Sequence, residues 1–597
     1  MERTFWTFLA LTIVSTATLR AGDDNAAIAR DARAVLKQHC FACHHGPGSK
    51  YRDFDVTLHD TLLKGDDEGD AVVIPAQPKR SLLYTIVADE KRMPPVATKD
   101  VLNADDIAKL EKWIKIGAPT FPKDARPYIT LEAQLTIIRN DLRDADKEVR
   151  PYLRYFTLTH LHNNPRFLND DLTSERAALS FAINSMTWRP SLVIPKPLDK
   201  DETIFVVNIK DLDWDKHSIW NRILSEYPYG GDFALNKDEK LKRLGNDIND
   251  YAPDLPMIRA DWFSANATRP PLYYDILYLP HTLMELEQRL NVNVESNFHN
   301  EKMMRAGFAA SGVSGQNRLL ERHDSPVGNY MWISYDFKPR TARSNLNRFP
   351  LGPVFQGNPY LNQAFVHAGG EVIWGLPNGL QAYFLVDGKG NRIDEGPIEV
   401  VSDALKTSGT PAIANGVSCM HCHKAGLLPF TDTVRDGNAL SGEPREKVLH
   451  LYAKPDAMAA KLKEDSERFT GALLRTVSPF MKLDEKLAEF QKDPKNKGMT
   501  MTDVAKKVEN PVGESARRYL LNDVDLAMAA AELGFQNPEE LATIIKYNAR
   551  LQALGLMPLA NGKLIKRGDW EAIDGFSLFQ DVARELKIMS PITVVTK

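Results

Sequence analysis

Cysteine is scarce in this chain, with four residues in 597. A disulfide-stapled scaffold is therefore excluded, because such scaffolds are short and cysteine-dense. An excess of one charge is also missing. Seventy-five Lys and Arg face 79 Asp and Glu, for a formal net charge of -4, which speaks against nucleic acid or an anionic membrane as partner. Beyond the first twenty residues no apolar run approaches the ~20 residues that cross a bilayer. Disorder is not indicated either, since 43% hydrophobic and 26% charged residues are ordinary globular values. The length exceeds what one compact core supports and suggests two to four domains.

The N-terminus has its own pattern. A short polar start containing Arg3 leads into the largely apolar run from Phe5 to Val14, and small residues follow at Ser15, Thr16, Ala17, Ala21 and Gly22. Charge, apolar stretch and small residues in that order read as a signal peptide over 1–21. The apolar run is too short for a membrane anchor. The expectation is a periplasmic or otherwise exported, soluble protein with no stable membrane insertion after cleavage.

All four cysteines fall in two C-x-x-C pairs, each followed at once by His: Cys40-Phe41-Ala42-Cys43-His44 and Cys419-Met420-His421-Cys422-His423. Thiols at this spacing lie one short turn apart and can add to the two vinyl groups of one haem, with the next His held as an iron ligand. A thioredoxin-like redox pair needs a βαβ setting, and a Cys₄ zinc site needs distant pairs to meet. Neither explains a His after both pairs. The expected cofactors are two covalently bound haem c groups. Their iron ligands are His44 and His423, and the attachment residues are Cys40, Cys43, Cys419 and Cys422.

Around the first motif the order is helix over 26–38, C-x-x-C-H, long loop, Met93 inside Arg92-Met93-Pro94-Pro95, then a helix over 104–114 with Asn103 as N-cap. This is the order of a small class I cytochrome c, with Met93 as the sixth ligand. A thioether is soft and raises the haem potential. These stretches, together with Val73-Ile74-Pro75-Ala76-Gln77-Pro78, Ser81-Leu82-Leu83 and Trp113 to Ala118, closely resemble the planctomycete-type cytochrome c domain, here about residues 27–121. The resemblance implies a monohaem His/Met module, usually fused to other exported domains. Ala76 stands where that family tends to have Gly, which is expected to alter a turn and not the iron. His39, His45 and His59 are read as exposed or propionate-facing.

Residues 122–345 form an α+β middle region of unknown role. Helices are expected over 130–141 and 219–224 and a strand over 204–209. Tyr152, Tyr155 and Phe156 have helix-like spacing. The run from Arg318 to Asp324 is read as an exposed, salt-bridged turn, with Arg322 and His323 as weak catalytic candidates should they lie over an open haem face.

Residues 346–597 form a second haem-binding region. Strands are expected over 371–374, 380–386 and 397–401, with a turn at 387–391. The motif and then helices over 444–451, 458–462, 523–533 and 538–547 follow. The sixth ligand of this haem has no Arg-Met-Pro-Pro equivalent. Candidates are His323, His367, His450, Met458, Met481, Met499 and Met501.

The expected fold is mainly α with a smaller β component: a class I cytochrome c domain, then a larger α+β haem-containing region. The expected function is electron transfer with a redox partner protein. A dihaem peroxidase or oxidase with the second haem as catalytic site, and a haem-containing sensor or scaffold module, are the alternatives.

Overall fold

The computed structural model describes residues 24–41, 43–45, 55–64, 71–95, 102–234, 236–252, 254–310, 314–340, 342–403, 405–492, 494–507, 510–572 and 575–592. The signal peptide expected over 1–21 lies outside them. The fold is mixed α+β, with helices outweighing strands. The chain divides into two compact units, Met1–Ala125 with Leu521–Asp523, and Arg126–Leu520 with Val524–Lys597.

In the first unit, helix α1 (24–39) leads straight into the first motif. Its buried stripe of Ala29, Ala32, Val35 and Leu36 shares one apolar cluster with Leu110, Trp113 and Ile114 of helix α2 (Ala104–Lys115). The helical spacing in the sequence is thus realised as a two-helix core. Helix α2 starts where Asn103 accepts hydrogen bonds from the amides of Asp105 and Asp106, and Asp106 returns the contact in a capping box. Such a cap contributes ~1 kcal/mol. Trp113 is fully buried, donates Nε1–H to the Pro119 carbonyl at 2.9 Å and stacks on Phe121.

At Ala76 the chain turns, with Gln77 N–H on the Ile74 carbonyl and Ala76 N–H on the Ile114 carbonyl at 2.9 Å. Ala76 itself takes a φ of 60°, the left-handed region that glycine enters without a Cβ penalty. Of the two readings of His45, the exposed one is overturned: the residue is buried at 9% exposure, and its backbone bridges to Asp55.

The second unit holds two sheets. Strands β1 (Leu153–Thr157), β2 (Lys196–Pro197), β3 (Ile204–Asn208) and β4 (Met257–Arg259) form one in the order β2-β3-β1-β4, with β1 antiparallel to β3 and parallel to β4. The segment with helix-like spacing is therefore a strand. Every residue of β1 is buried, and a strand covered on both faces shows a continuous apolar run that periodicity cannot tell from a helix. Helices α3 (Leu131–Asp144, capped by Thr130), α4 (Asn169–Ser185) and α5 (Ile219–Ser225) accompany this sheet.

The second sheet is a five-stranded antiparallel meander: β5 (Met304–Ala309), β6 (Asn317–Ser325), β7 (Asn329–Asp336), β8 (Gly369–Gly375) and β9 (Gln381–Asp387), paired in sequence order. It takes strands from both sides of residue 345. The β8–β9 hairpin turns at 376–380, and the expected turn at 387–391 follows β9, where Gly390 N–H bonds the Asp387 carbonyl at 3.0 Å and Asp387 N–H bonds the Asn391 carbonyl at 2.9 Å. The segment 397–401 is not a strand; the short pair β10 (Glu395–Gly396) and β11 (Ile413–Ala414) stands around it. Then come α6 (Val417–Cys422), α7 (Glu443–Leu451), α8 (Pro455–Met481), α9 (Leu526–Leu533) and α10 (Pro538–Tyr547). Helix α8 is far longer than the expected 458–462. It packs along α4, where Ser180 donates to the Thr476 carbonyl at 2.8 Å.

Replacing Ala76 with Gly removes the left-handed Cβ penalty and keeps the turn. The expected outcome is a stabilisation of ~0.5–1 kcal/mol, read by chemical unfolding of the full chain. A destabilised variant would show that this position is not limited by backbone strain.

Candidate functional site

The first motif caps a helix. Cys40 N–H bonds the Leu36 carbonyl as the last turn of α1, and the amides of Cys43 and His44 both fold back on the Cys40 carbonyl at 3.1 and 3.0 Å. That single turn brings the two thiols and the imidazole together. Met93 is held with its amide on the Ile86 carbonyl at 3.3 Å. Met93 and Cys40 are both half-buried at the edge of one apolar cluster. His39 lies 3.5 Å from Asp106, and His59 Nε2 bonds the Ala118 carbonyl at 2.8 Å.

The second motif is built differently. It forms helix α6, entered from β11 through Asn415 and Gly416. Gly416 has a φ of 84°, and a Cβ there would stand 2.3 Å from the Thr268 carbonyl oxygen and against the Tyr273 ring. Only glycine fits this entry. Asn415 is fully buried and donates Nδ2–H to the Tyr383 carbonyl at 3.2 Å. The helix then closes with Met420 N–H on the Gly416 carbonyl and His423 N–H on the Cys419 carbonyl, both at 2.8 Å.

The chemistry of the donor set fits a covalently held haem at both motifs. No disulfide joins the cysteines. At the second, His423 Nδ1 lies 3.3 Å from the Gly426 carbonyl oxygen. A carbonyl only accepts, so Nδ1–H is the donor there, and this orientation turns Nε2 toward Glu371. Nε2 stands 3.5 Å from Glu371 Oε2. The Tyr383 ring lies nearly parallel to the imidazole at 6.1 Å.

The electrostatics around this motif are those of a closed environment. Burial first, then the carboxylates of Asp403 and Glu371, pushes the Cys422 thiol up to about 12. Burial works against ionised Glu371, but His423, the Cys419 thiol and the Arg318 guanidinium offset it and hold the carboxyl below its ordinary range. Burial, followed by repulsion from Arg517, lowers His421 to about 4. Its ring packs on Gly513, where a Cβ would come within 2.4 Å.

Arg322 and His323 do not act together. They are neighbours on β6, not a turn, and successive strand residues point to opposite faces. Pairing across the sheet puts Arg318, Arg322, Trp332, Glu371 and Tyr383 on one face and Arg305, Glu321 and His323 on the other. Arg322 binds Asp465 of α8 with two nitrogens at 2.8 and 3.1 Å, and Trp332 donates to the same carboxylate at 2.8 Å. His323 is fully buried between Glu321 at 2.8 Å and Asn297 at 3.0 Å. Both candidates belong to satisfied buried networks, so the exposed-turn reading is overturned. Asp324 alone of that cluster is exposed.

The other sixth-ligand candidates scatter. His450 is exposed and pairs with Glu301 at 2.8 Å, and His367 packs edge-on against Tyr335. Met458 is buried on α8, and Met499 and Met501 are half-buried against the core. Met481 shares a small cavity, about 20 Å³, with Lys424. The residues that sequence reasoning missed are Glu371, Tyr383 and Asn415, while Arg318 was read only as part of an exposed turn. Glu371 carried a signal, as a lone carboxylate opening the apolar run Val372-Ile373-Trp374. A larger cavity, about 110 Å³, is lined by His160, Arg259, Tyr229 and Glu532. Its charges pair internally, Arg259 with Glu532 at 3.0 Å and His160 with Asp261 at 2.9 Å.

Glu321 makes stability depend on acid. Burial alone would raise its carboxyl, but Arg305, at 2.6–2.7 Å through two nitrogens, and His323 more than offset that and bring it down to about 2. A depressed carboxylate stabilises the fold above its unfolded value of ~4.3. That contribution is complete at neutral pH and is lost as pH falls from ~4 towards 2. Glu321→Gln leaves Arg305 buried with no counter-charge. It is expected to cost ~3–5 kcal/mol and to flatten the acid limb of a denaturation-versus-pH series; an unchanged limb would count against this account.

Compared with known families, residues 40–96 match the model of Planctomycete cytochrome C. The match takes in the first motif and Met93 but not the second motif. No curated protein and no solved structure matches the chain. The first unit thus carries a planctomycete-type cytochrome c domain, which implies covalently bound haem c and points to haem-based electron transfer. Among the described residues no helix is long and apolar enough to cross a membrane.

Proposed function

We propose that this protein is an exported dihaem c-type cytochrome that transfers electrons. The observation that carries this reading is the repeated local geometry. At each motif one helical turn assembles two thiols and an imidazole, and every cysteine of the chain is used. Cys40, Cys43 and His44 hold the first haem within a class I-type domain over about 27–121. Cys419, Cys422 and His423 hold the second within the region from 346 onward. Haem supplies one-electron chemistry when bound.

The protein's own residues set how that chemistry runs. Met93 offers a soft thioether as sixth ligand to the first iron, which favours the ferrous state and raises the potential. The Gly426 carbonyl fixes the ring and tautomer of His423, as partners of metal-bound imidazoles do. Tyr383, Tyr273 and Asn415 exclude water from the side of Cys419. With haem bound, the residues of the first motif would serve exchange with a redox partner protein, and those of the second would receive electrons from the first. The segment over 1–21 directs export.

A second reading, in which the second haem is the reactive centre of a peroxidase or oxidase, draws support from Glu371. A buried carboxylate beside His423 Nε2 is a group that can hold or move a proton there. Residues 122–345 provide the sheet strands that carry Arg318 and Trp332 onto the same face.

A pyridine haemochrome assay of the purified holoprotein is expected to give two haems per chain. Loss of either cysteine pair should leave one, and any other stoichiometry contradicts the reading. Carbon monoxide added to the reduced protein separates carrier from enzyme, since a spectral shift at the second haem favours the enzyme. Met93→Ala is expected to lower the first haem's potential and to convert its low-spin spectrum. Retention of that spectrum would mean that another residue is the ligand.

A further inference from the structure

We propose that Glu371 supplies the sixth ligand of the second haem iron, through a carboxylate oxygen opposite His423. The proposal rests on the reading that Cys419, Cys422 and His423 hold a haem. It supplies the ligand for which no Met or His in the sequence stood out.

The geometry is specific. His423 Nδ1 is committed to the Gly426 carbonyl, so Nε2 is the nitrogen left for iron, and Glu371 Oε2 stands 3.5 Å in front of it. Bonds from first-row metals to imidazole nitrogen and carboxylate oxygen are each ~2.0–2.2 Å. Two ligands on opposite sides of one metal are therefore ~4 Å apart, and a small side-chain adjustment opens the observed gap to that value. Glu371 also interacts with the Cys419 thiol.

The backbone supports this placement. Glu371 lies on β8, inside the sheet between β7 and β9, on the face that meets the motif. Pairing of β8 with β7 skips Ser334 and Tyr335, and the Glu371 amide bonds the Ser334 hydroxyl at 2.9 Å instead. The ladder opens at Gly370 and Glu371. Arg318, on the same sheet face, is tied to Asp336 at 2.5 Å and adds positive charge near Glu371. The competing histidines are directed elsewhere, His323 to the opposite face and His450 to Glu301. Met481 is the remaining rival, because it borders a cavity with Lys424, the residue after His423.

An anionic oxygen ligand is hard. It stabilises ferric over ferrous iron and imposes a weak field. A haem held by His423 with Glu371 as its oxygen ligand would be high-spin and low in potential. The two haems then differ by design: a soft sulfur on the first, a hard oxygen on the second.

The test uses the full-length holoprotein, with haem count, ferric electron paramagnetic resonance and a redox titration on each variant. Wild type is expected to show one low-spin and one high-spin ferric haem. Glu371→Gln should alter the high-spin signal and raise the second haem's potential, with the first haem unmoved. Glu371→His should convert the second haem to a low-spin, two-imidazole spectrum, a gain that mere loss of packing cannot produce. Met481→Leu should change neither haem. A low-spin second haem in wild type overturns the proposal without any variant. So does a Glu371→Gln protein with two haems and an unchanged spectrum and potential, or a spectrum that follows Met481. One haem per chain in wild type would sink the dihaem reading itself, and the two failures are thereby told apart.

Discussion

The two-residue period of the five-stranded meander governs what meets the second motif. Every second side chain of a strand faces the same way, so a single register assigns Arg318, Arg322, Trp332, Glu371 and Tyr383 to the motif face. The same register sends Arg305, Glu321 and His323 to the other. A slip of one residue would exchange the two sets. Register is held by the full length of β6–β7 pairing, from Arg318 opposite Asp336 to Ser325 opposite Asn329.

Both faces bury charge, and they manage it differently. On the far face Arg305 and Glu321 meet through two nitrogens with both side chains at or below 1% exposure. On the motif face Asp465 of α8 satisfies Arg322 and Trp332 together. Buried pairs of this kind add little net stability over apolar packing, but losing one partner is costly. Arg305–Glu321 thus ties two neighbouring strands, and Asp465 ties the sheet to α8. Glu371 is the member of this group whose contacts are a thiol and an imidazole, not a fixed cation, and those are the groups of the C-x-x-C-H motif.

The first unit was more legible than the second. Its helices are amphipathic, with apolar residues at helical spacing, and Asn103 announces the start of α2. Met93 could be singled out because two prolines directly follow it. Even there, the burial of His45 and the left-handed Ala76 depended on neighbours distant in sequence. In the second unit β1 misled because it is covered on both faces, and the Arg318–Asp324 run misled because charge usually marks surface. Its charges are inside because their partners arrive from elsewhere: Asp465 for Arg322, Arg305 for Glu321 and Asp336 for Arg318.

The sequence by itself determined the two C-x-x-C-H motifs, since thiols three apart with a following His need only one local turn to come together. It also determined the helices whose apolar stripes are local in period. What stands beside His423 Nε2 was decided only by tertiary structure. Glu371 is far from the motif in the chain, and its approach depends on strand order, on pleat and on the glycine-limited entry at Gly416. None of these leaves a mark in local spacing, because a β-sheet joins residues by pairing and not by proximity along the chain.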